Sequence, residues 1–352
     1  MIVTPLLRTR FAETHPDVLL LDPHDPEGLE GHLLRRGLAE RPELPARIEN
    51  AGSGNMNLTL RVTLANRSLI LKQGRPWVEK YDHIEAPWNR TLIEGRFYEA
   101  VRGVRAVSSR MPEILDLDPH NRVLALSDAG SLGDFTSIYE EGAISAATVD
   151  ALLDWLEALG SVAIPDDRRD AFTNRAMRAL NHEHIFRLPL ARENGLDLDR
   201  ITEGLARAAE DLKADDDYTA RVKALGSRYL EDGPALVHGD YFPGSWMKAA
   251  DGLRIIDPEF CFLGTREFDY GVMLAHLALA RTTADAAQRV LAATRHERLD
   301  AALVQNFAGV EIMRRLIGVA QLPLSHDLNT KRHLLEASRS LVLRPEAELS
   351  CW

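Results

Sequence analysis

The stretch from Leu236 to Phe260 constrains this chain more than any other. Apolar Leu236-Val237 leads into His238-Gly239-Asp240 and then a Pro- and Gly-containing turn, Tyr241-Phe242-Pro243-Gly244-Ser245. Leu253-Arg254-Ile255-Ile256, apolar but for Arg254, then leads into Asp257-Pro258-Glu259-Phe260. Two strands that each end in acids predict a hairpin bringing Asp240 alongside Asp257, 17 positions later. Side chains two apart on an extended backbone share a face, so Asp257 and Glu259 are expected to aim their carboxylates at one point. A hard cation such as Mg2+ takes oxygen ligands of that kind. One carboxylate that accepts a hydroxyl proton, beside others that hold a metal and position a triphosphate, is the equipment of phosphoryl transfer. A bare His-Gly-Asp is more often just a turn. The strand and the Asp-x-Glu pair behind it make the pattern specific.

A chain of 352 residues is too long for one small core and suits two packed parts. Its 45% hydrophobic and 27% charged residues are those of an ordinary globular protein. A net charge of −11 argues against a nucleic-acid partner, because phosphate backbones are bound by clustered Lys and Arg. One nucleotide needs only a few local cations, which global charge does not report. Cys261 and Cys351 are far apart with no CxxC, which predicts reduced thiols and neither zinc nor disulfide. No apolar run suffices to span a bilayer and no leader-like segment opens the chain, so the expectation is a cytoplasmic protein without a membrane partner.

Coarse periodicity gives the organisation. Residues 1–48 read as polar and helical, with Asp25-Pro26-Glu27 a helix start. Leu58, Leu60, Val62 and Leu64 alternate with other residues, Asn66-Arg67 offers a turn, and Ser68 to Lys72 returns as a second strand. A helix is expected at 89–102 and further strands at 111–117 and 122–127. Beyond about 130 the pattern is helical: Thr148 is the expected cap of a helix bearing Val149, Leu152, Leu153, Leu156 and Leu159, another helix covers 267–281, and the end is a helical bundle.

His238-Gly239-Asp240 followed by Asp257 resembles the aminoglycoside phosphotransferase and choline kinase superfamily, relatives of the protein kinases. Members usually carry Asn five residues after the catalytic Asp; this chain has Ser245. With Asp257-Pro258-Glu259-Phe260 and Phe268-Asp269-Tyr270-Gly271, it looks like the 5-methylthioribose kinase branch. The resemblance implies an α+β, two-lobed protein-kinase-like fold, with a sheet-rich N-terminal lobe at 1–128 and a larger helical lobe at 129–352. It implies ATP and Mg2+ as cofactors, Asp240 as catalytic base, and Asp257 and Glu259 as metal ligands.

The resemblance implies further roles in the N-terminal half. Gly52-Ser53-Gly54-Asn55-Met56-Asn57 stands where a phosphate-covering glycine loop belongs, naming Gly52, Gly54, Asn55 and Asn57. Lys72 would reach the α- and β-phosphates, paired with Glu94 or, in competition, Glu99. Ser127, in Leu126-Ser127-Asp128, would lie at the hinge where backbone groups read adenine. Trp88, in Ala86-Pro87-Trp88-Asn89, fits a Trp-tipped loop against the substrate.

Arg314 and Arg315, within Phe307 to Gly318, resemble a paired arginine that contacts transferring phosphate or substrate. Adjacent helical residues point about 100° apart, so one of the two is expected to face the site squarely. The implied reaction is ATP-dependent phosphorylation of a small sugar hydroxyl, foremost the anomeric hydroxyl of 5-methylthioribose. The rivals are a deoxypentose, amino sugar or aminoglycoside acceptor, and a non-catalytic nucleotide-binding regulator. A homodimer is compatible with the sequence, which does not fix the oligomeric state.

Overall fold

Leu58, Leu60 and Val62 are buried while Thr59 and Arg61 between them are less so, the two-residue period of a strand with one face on a core. In the computed structural model, which describes residues 5–52, 56–130 and 132–345, this segment is β2 of a five-stranded antiparallel sheet. The chain divides into two units, Met1–Gly130 and Ser131–Trp352.

The first unit runs α1 (Pro5–Thr14), α2 (Pro26–Arg35), β1 (Arg47–Asn50), β2 (Leu58–Thr63), β3 (Ser68–Gln73), β4 (Trp77–Val78), β5 (Tyr81–Glu85), α3 (Arg90–Val101), α4 (Arg105–Ser108), β6 (Ile114–Asp118) and β7 (Val123–Ser127). Its sheet has the order β1-β2-β3-β7-β6, with Thr63 opposite Ser68 across the Asn66-Arg67 turn. Asp25 caps α2 through its side chain, and Leu29 and Leu33 of that helix join Leu58, Leu60, Val62, Leu69 and Leu71 in one core. The polar-looking N-terminal segment therefore covers a sheet face. Gln73 fastens it, accepting from Leu21 N–H at 2.9 Å and donating to Leu19 O at 2.7 Å. Lys72, one residue earlier on β3, points to the opposite face by the alternation of the strand.

The second unit contains α5 (Ile138–Glu141), α6 (Ala146–Gly160), α7 (Arg175–His182), α8 (Leu198–Ile201), α9 (Leu205–Lys213), α10 (Asp216–Leu230), β8 (Ala235–Val237), β9 (Trp246–Ala249), β10 (Gly252–Ile255), β11 (Phe262–Gly264), α11 (Glu267–Leu279), α12 (Ala284–His296), α13 (Ala301–Ile317) and α14 (Leu328–Leu343). Every residue of α11 from Phe268 to Leu279 is buried, as befits a central helix apolar on all sides. It packs on α13, which packs on α14. Gly271 permits the first crossing, since a Cβ there would meet Phe307 Cβ at 2.7 Å and Val304 O at 2.8 Å. The cap of α6 is Ser145, not Thr148: Thr148 is the third helical residue and donates its N–H to Ser145 Oγ at 3.1 Å. No described helix is long and apolar enough to cross a membrane.

Candidate active site

In the first unit, the alternation of β3 brings Lys72 to Glu94, on the second turn of α3. Its Nζ lies 2.7 Å from both carboxylate oxygens, with both side chains buried. Glu94, not Glu99, is the partner. Of the glycine turn, Gly54 and Asn55 lie outside the described residues, and Gly52 adopts a left-handed conformation (φ +91°) that suits glycine.

Asn57 is turned to structure. Its Oδ1 accepts from Nε of Arg90 at 2.7 Å. The fully buried Arg90 guanidinium also donates to Met56 O, Arg75 O, Trp77 O and Pro87 O, which occupies all five of its N–H groups. Asn57 thus shapes the turn through its Oδ1.

Ser127 and Trp88 make structural contacts in this unit. Ser127 ends β7, where its N–H donates to Glu113 O and its Oγ accepts from Glu113 N–H, each at 2.8 Å. Its N–H and hydroxyl are thus committed to the sheet. Trp88 does not tip a projecting loop. Its indole N–H donates to Gly74 O at 2.9 Å, and its ring packs on Phe11 and His15 with the Arg122 guanidinium 5.0 Å above it. Phe11 of helix α1 and His15 just beyond it supply that packing, so the described contacts of Trp88 are structural ones.

In the second unit, β8 delivers His238-Gly239-Asp240 into a tightly bonded loop. The buried Asp269 on α11 accepts from His238 N–H at 2.6 Å and Gly239 N–H at 3.0 Å. Burial pushes its carboxyl up to about 7, against those two donors. Gly239 is required on two counts: its φ is +84°, and a Cβ would sit 2.2 Å from Phe260 O. His238 Nε2 lies 3.0 Å from Ile256 O, which can only accept, so Nε2 carries the proton and Nδ1 accepts from Asp240 N–H at 3.3 Å. His238 therefore ties the loop of Asp240 to the residue preceding Asp257. Ser245, at the position where members usually carry Asn, is turned to the loop. Its buried hydroxyl donates to Asp240 O at 2.9 Å. Tyr241 stacks on Trp155 at 5.3 Å and donates its hydroxyl to Leu152 O.

Asp257 departs from the extended geometry expected of it. It sits in the left-handed region (φ +64°), and Pro258–Phe260 forms a 3₁₀ turn. The shared-face reasoning for Asp257 and Glu259 fails, because it assumed a strand that stops at Ile255. Asn174 fixes the turn by donating to Glu259 O at 3.1 Å and Cys261 O at 2.9 Å. Asp257 lies near enough to Asp240 for its charge to act on it. Among the described residues, three side chains able to ligate a metal within 4.8 Å of one another occur at Glu157, His296 and Glu297, a set that includes none of these acids, and Glu297 there is salt-bridged to Arg266.

Both arginines reach Asp240. Nη2 of Arg314 and Nη2 of Arg315 each lie 3.4 Å from Asp240 Oδ1. Burial raises the Asp240 carboxyl above the usual range, and the guanidiniums of Arg315 and Arg314 oppose it. A 100° separation along α13 is overcome by Glu311, one turn earlier, which accepts from Arg314 Nε at 2.5 Å on Oε2 and Arg315 Nε at 2.7 Å on Oε1. Burial alone would raise Glu311, but Arg314 and Arg315 hold it well below the usual range. Glu311, His276 and Tyr139 escaped sequence reasoning, and Asp269 was named there only within a motif, without a role. The Glu-x-x-Arg-Arg spacing was the available signal for the first.

Residues 47–303 match the phosphotransferase enzyme family (APH). The methylthioribose kinase of Geobacillus sp. (strain WCH70) is 24% identical, over 95% of this chain and 94% of the relative. That of Exiguobacterium sibiricum is 25% identical over 67% of this chain, and that of Erwinia tasmaniensis 28% over 65%. These matches span 62% and 59% of those relatives' own lengths. Among solved structures, a Plasmodium vivax ethanolamine kinase superposes with TM-score 0.55 at 8% identity, covering 96% of this chain and 95% of that one. The gentamicin–APH(2")-IIa complex gives 0.52 at 14%, covering 93% and 97%. These likenesses show the fold: protein-kinase-like, sheet-rich in its N-terminal unit and helical in its C-terminal one. With a family match over most of its length, the chain belongs to the phosphotransferase enzyme family.

Proposed function

We propose that this chain is an ATP-dependent small-molecule kinase acting on a sugar hydroxyl, with 5-methylthioribose its foremost acceptor, in the cytoplasm. The observation that carries the reading is the Asp240 carboxylate at the mouth of a rigid loop, with two guanidiniums converging on one of its oxygens. In this reading Asp240 accepts the proton as the acceptor oxygen bonds to the γ-phosphorus and the bond to the oxygen of departing ADP breaks. Its raised pKa makes it a better base than an exposed aspartate. Arg314 and Arg315 donate to the oxygens of the transferring group. Lys72, held by Glu94, contacts the α- and β-phosphates, and the turn from Gly52 covers them.

The donor set suits magnesium. Asp257 and Glu259 offer hard carboxylate oxygens within one turn, so they would hold Mg2+, which when bound offsets phosphate charge.

Cationic and aromatic surroundings distinguish the acceptors. Arg315 stands 4.7 Å over the Phe242 ring beside Asp240, so a guanidinium and a ring, in place of further carboxylates, line that side, which favours a neutral sugar over a polycationic aminoglycoside. The naming of the curated relatives supports the same choice. The test is a panel of 5-methylthioribose, ribose, deoxyribose, amino sugars and aminoglycosides with ATP and Mg2+, following ADP. Expected is turnover of 5-methylthioribose that falls about 10³-fold or more in Asp240→Ala. Turnover of aminoglycosides alone would overturn the acceptor, and turnover unchanged in Asp240→Ala would overturn the mechanism.

A further inference from the structure

The two arginines raise a physical question: what holds two adjacent like charges together at one oxygen? Their contacts with Asp240 are long, 3.4 Å each, whereas their contacts with Glu311 are short, 2.5 and 2.7 Å. The grip is at the Nε end and the Nη2 ends are presented. Glu311 is itself fixed from behind. His276 Nε2 lies 3.0 Å from Glu311 Oε1 and its Nδ1 2.5 Å from the Tyr139 hydroxyl. A carboxylate only accepts, so Nε2 bears the proton and Nδ1 receives the Tyr139 O–H. Every member of this chain is buried. Phe242 completes the clamp, with its ring 4.7 Å below the Arg315 guanidinium and 5.4 Å from His276. Counting Glu311, Arg314, Arg315 and Asp240 as charged, the cluster is neutral, which is how buried charges persist.

We propose that Glu311, backed by His276 and Tyr139, is the positioning residue of the reaction: it clamps both guanidiniums by Nε so that their Nη ends meet the transferring phosphoryl group at Asp240. Its link to phosphoryl transfer rests on the function proposed above. The clamp itself does not. The hydrogen-bond pattern also makes the two arginines inequivalent. Arg315 shares Oε1 with His276, while Arg314 has Oε2.

The experiment has two arms on the full-length chain. In the first, Glu311→Gln keeps shape and removes charge; kcat is expected to fall about 100-fold, the scale of a misplaced catalytic group, with KM for ATP within about threefold. A merely structural residue would lower Tm and leave kcat per folded molecule unchanged. That result, or kcat within threefold of wild type, overturns the proposal. In the second, the ¹⁵Nε–H NMR signals of Arg314 and Arg315 are assigned with Arg→Lys variants and followed in Tyr139→Phe, which removes one hydroxyl and little volume. The Arg315 signal is expected to move more than that of Arg314. Equal or absent shifts overturn the clamp, and this arm decides if Glu311→Gln does not fold. Should the wild-type chain phosphorylate no acceptor, the function fails, while the NMR arm still decides the clamp on its own.

Discussion

Lys72 and Glu94 permit a stability test and a functional test in one cycle. Both side chains are almost completely buried, and the ammonium is 2.7 Å from each carboxylate oxygen. Replacing one partner, Lys72→Met or Glu94→Leu, takes the counter-charge from the one that stays, and loss of one member of a buried pair costs about 3–5 kcal/mol. Replacing both with apolar residues of similar volume is neutral or stabilising on the same scale. The double variant should therefore recover most of the loss, for a coupling of about 3 kcal/mol or more. Each single variant should melt about 10 °C or more below wild type, given a few degrees per kcal/mol in a unit of this size. Melting is then repeated with MgATP at about a hundred times Kd, which adds about 2.7 kcal/mol to a binding-competent protein. Wild type should gain that protection, and the double variant, though folded, should lose most of it. Two strictly additive singles would refute the reading of a coupled pair, and a double variant protected as well as wild type would refute Lys72 as a phosphate contact.

Three further outcomes are expected. Ser245→Ala should cost about 1 kcal/mol for the lost bond to Asp240 O and leave the Mg2+ concentration for half-maximal rate within twofold; a large rise would make Ser245 a metal ligand. Asp269 is raised to about 7 in the folded state, so the folded chain binds more protons than the unfolded one between about pH 4 and 7, and this group's contribution declines as pH rises through that window. The Tm difference between wild type and Asp269→Asn should shrink from pH 4.5 to 7.5, and a constant difference would show that Asp269 does not titrate there. Trp88→Phe should lower stability by about 1–2 kcal/mol through lost packing and the indole bond, with KM for the sugar within twofold. A tenfold rise in KM would restore Trp88 to the substrate site.

The hairpin of β2 and β3 was legible because one buried sheet face imposes a two-residue period, whereas the Lys72–Glu94 pair came from the family resemblance, which left Glu99 open beside it. Asp257 was misjudged for the opposite reason. The hydrophobic run Leu253 to Ile256 gives no sign of where the strand stops, and a left-handed residue before proline leaves no periodic trace. Thr148 and Ser145 are both good caps three residues apart, and only the backbone chooses between them. Glu311 and His276 looked like ordinary polar residues on helices. Their buried contacts with one another and with Tyr139 join segments far apart in the chain, which no single window contains. Trp88 was placed by analogy, whereas its packing comes from Phe11 and His15 more than seventy residues earlier.

The Arg90 guanidinium works like a rivet through several sheets of metal. Four separate backbone carbonyls and one amide, drawn from residues 56–57, 75–77 and 87, are fastened to a single rigid plane. A displacement at Asn57, beside the glycine turn, is thereby transmitted to Pro87 on the far side of the same plane, without passing along the intervening chain. The three segments close together or not at all, and lysine, with one nitrogen in place of three, has no way to hold them.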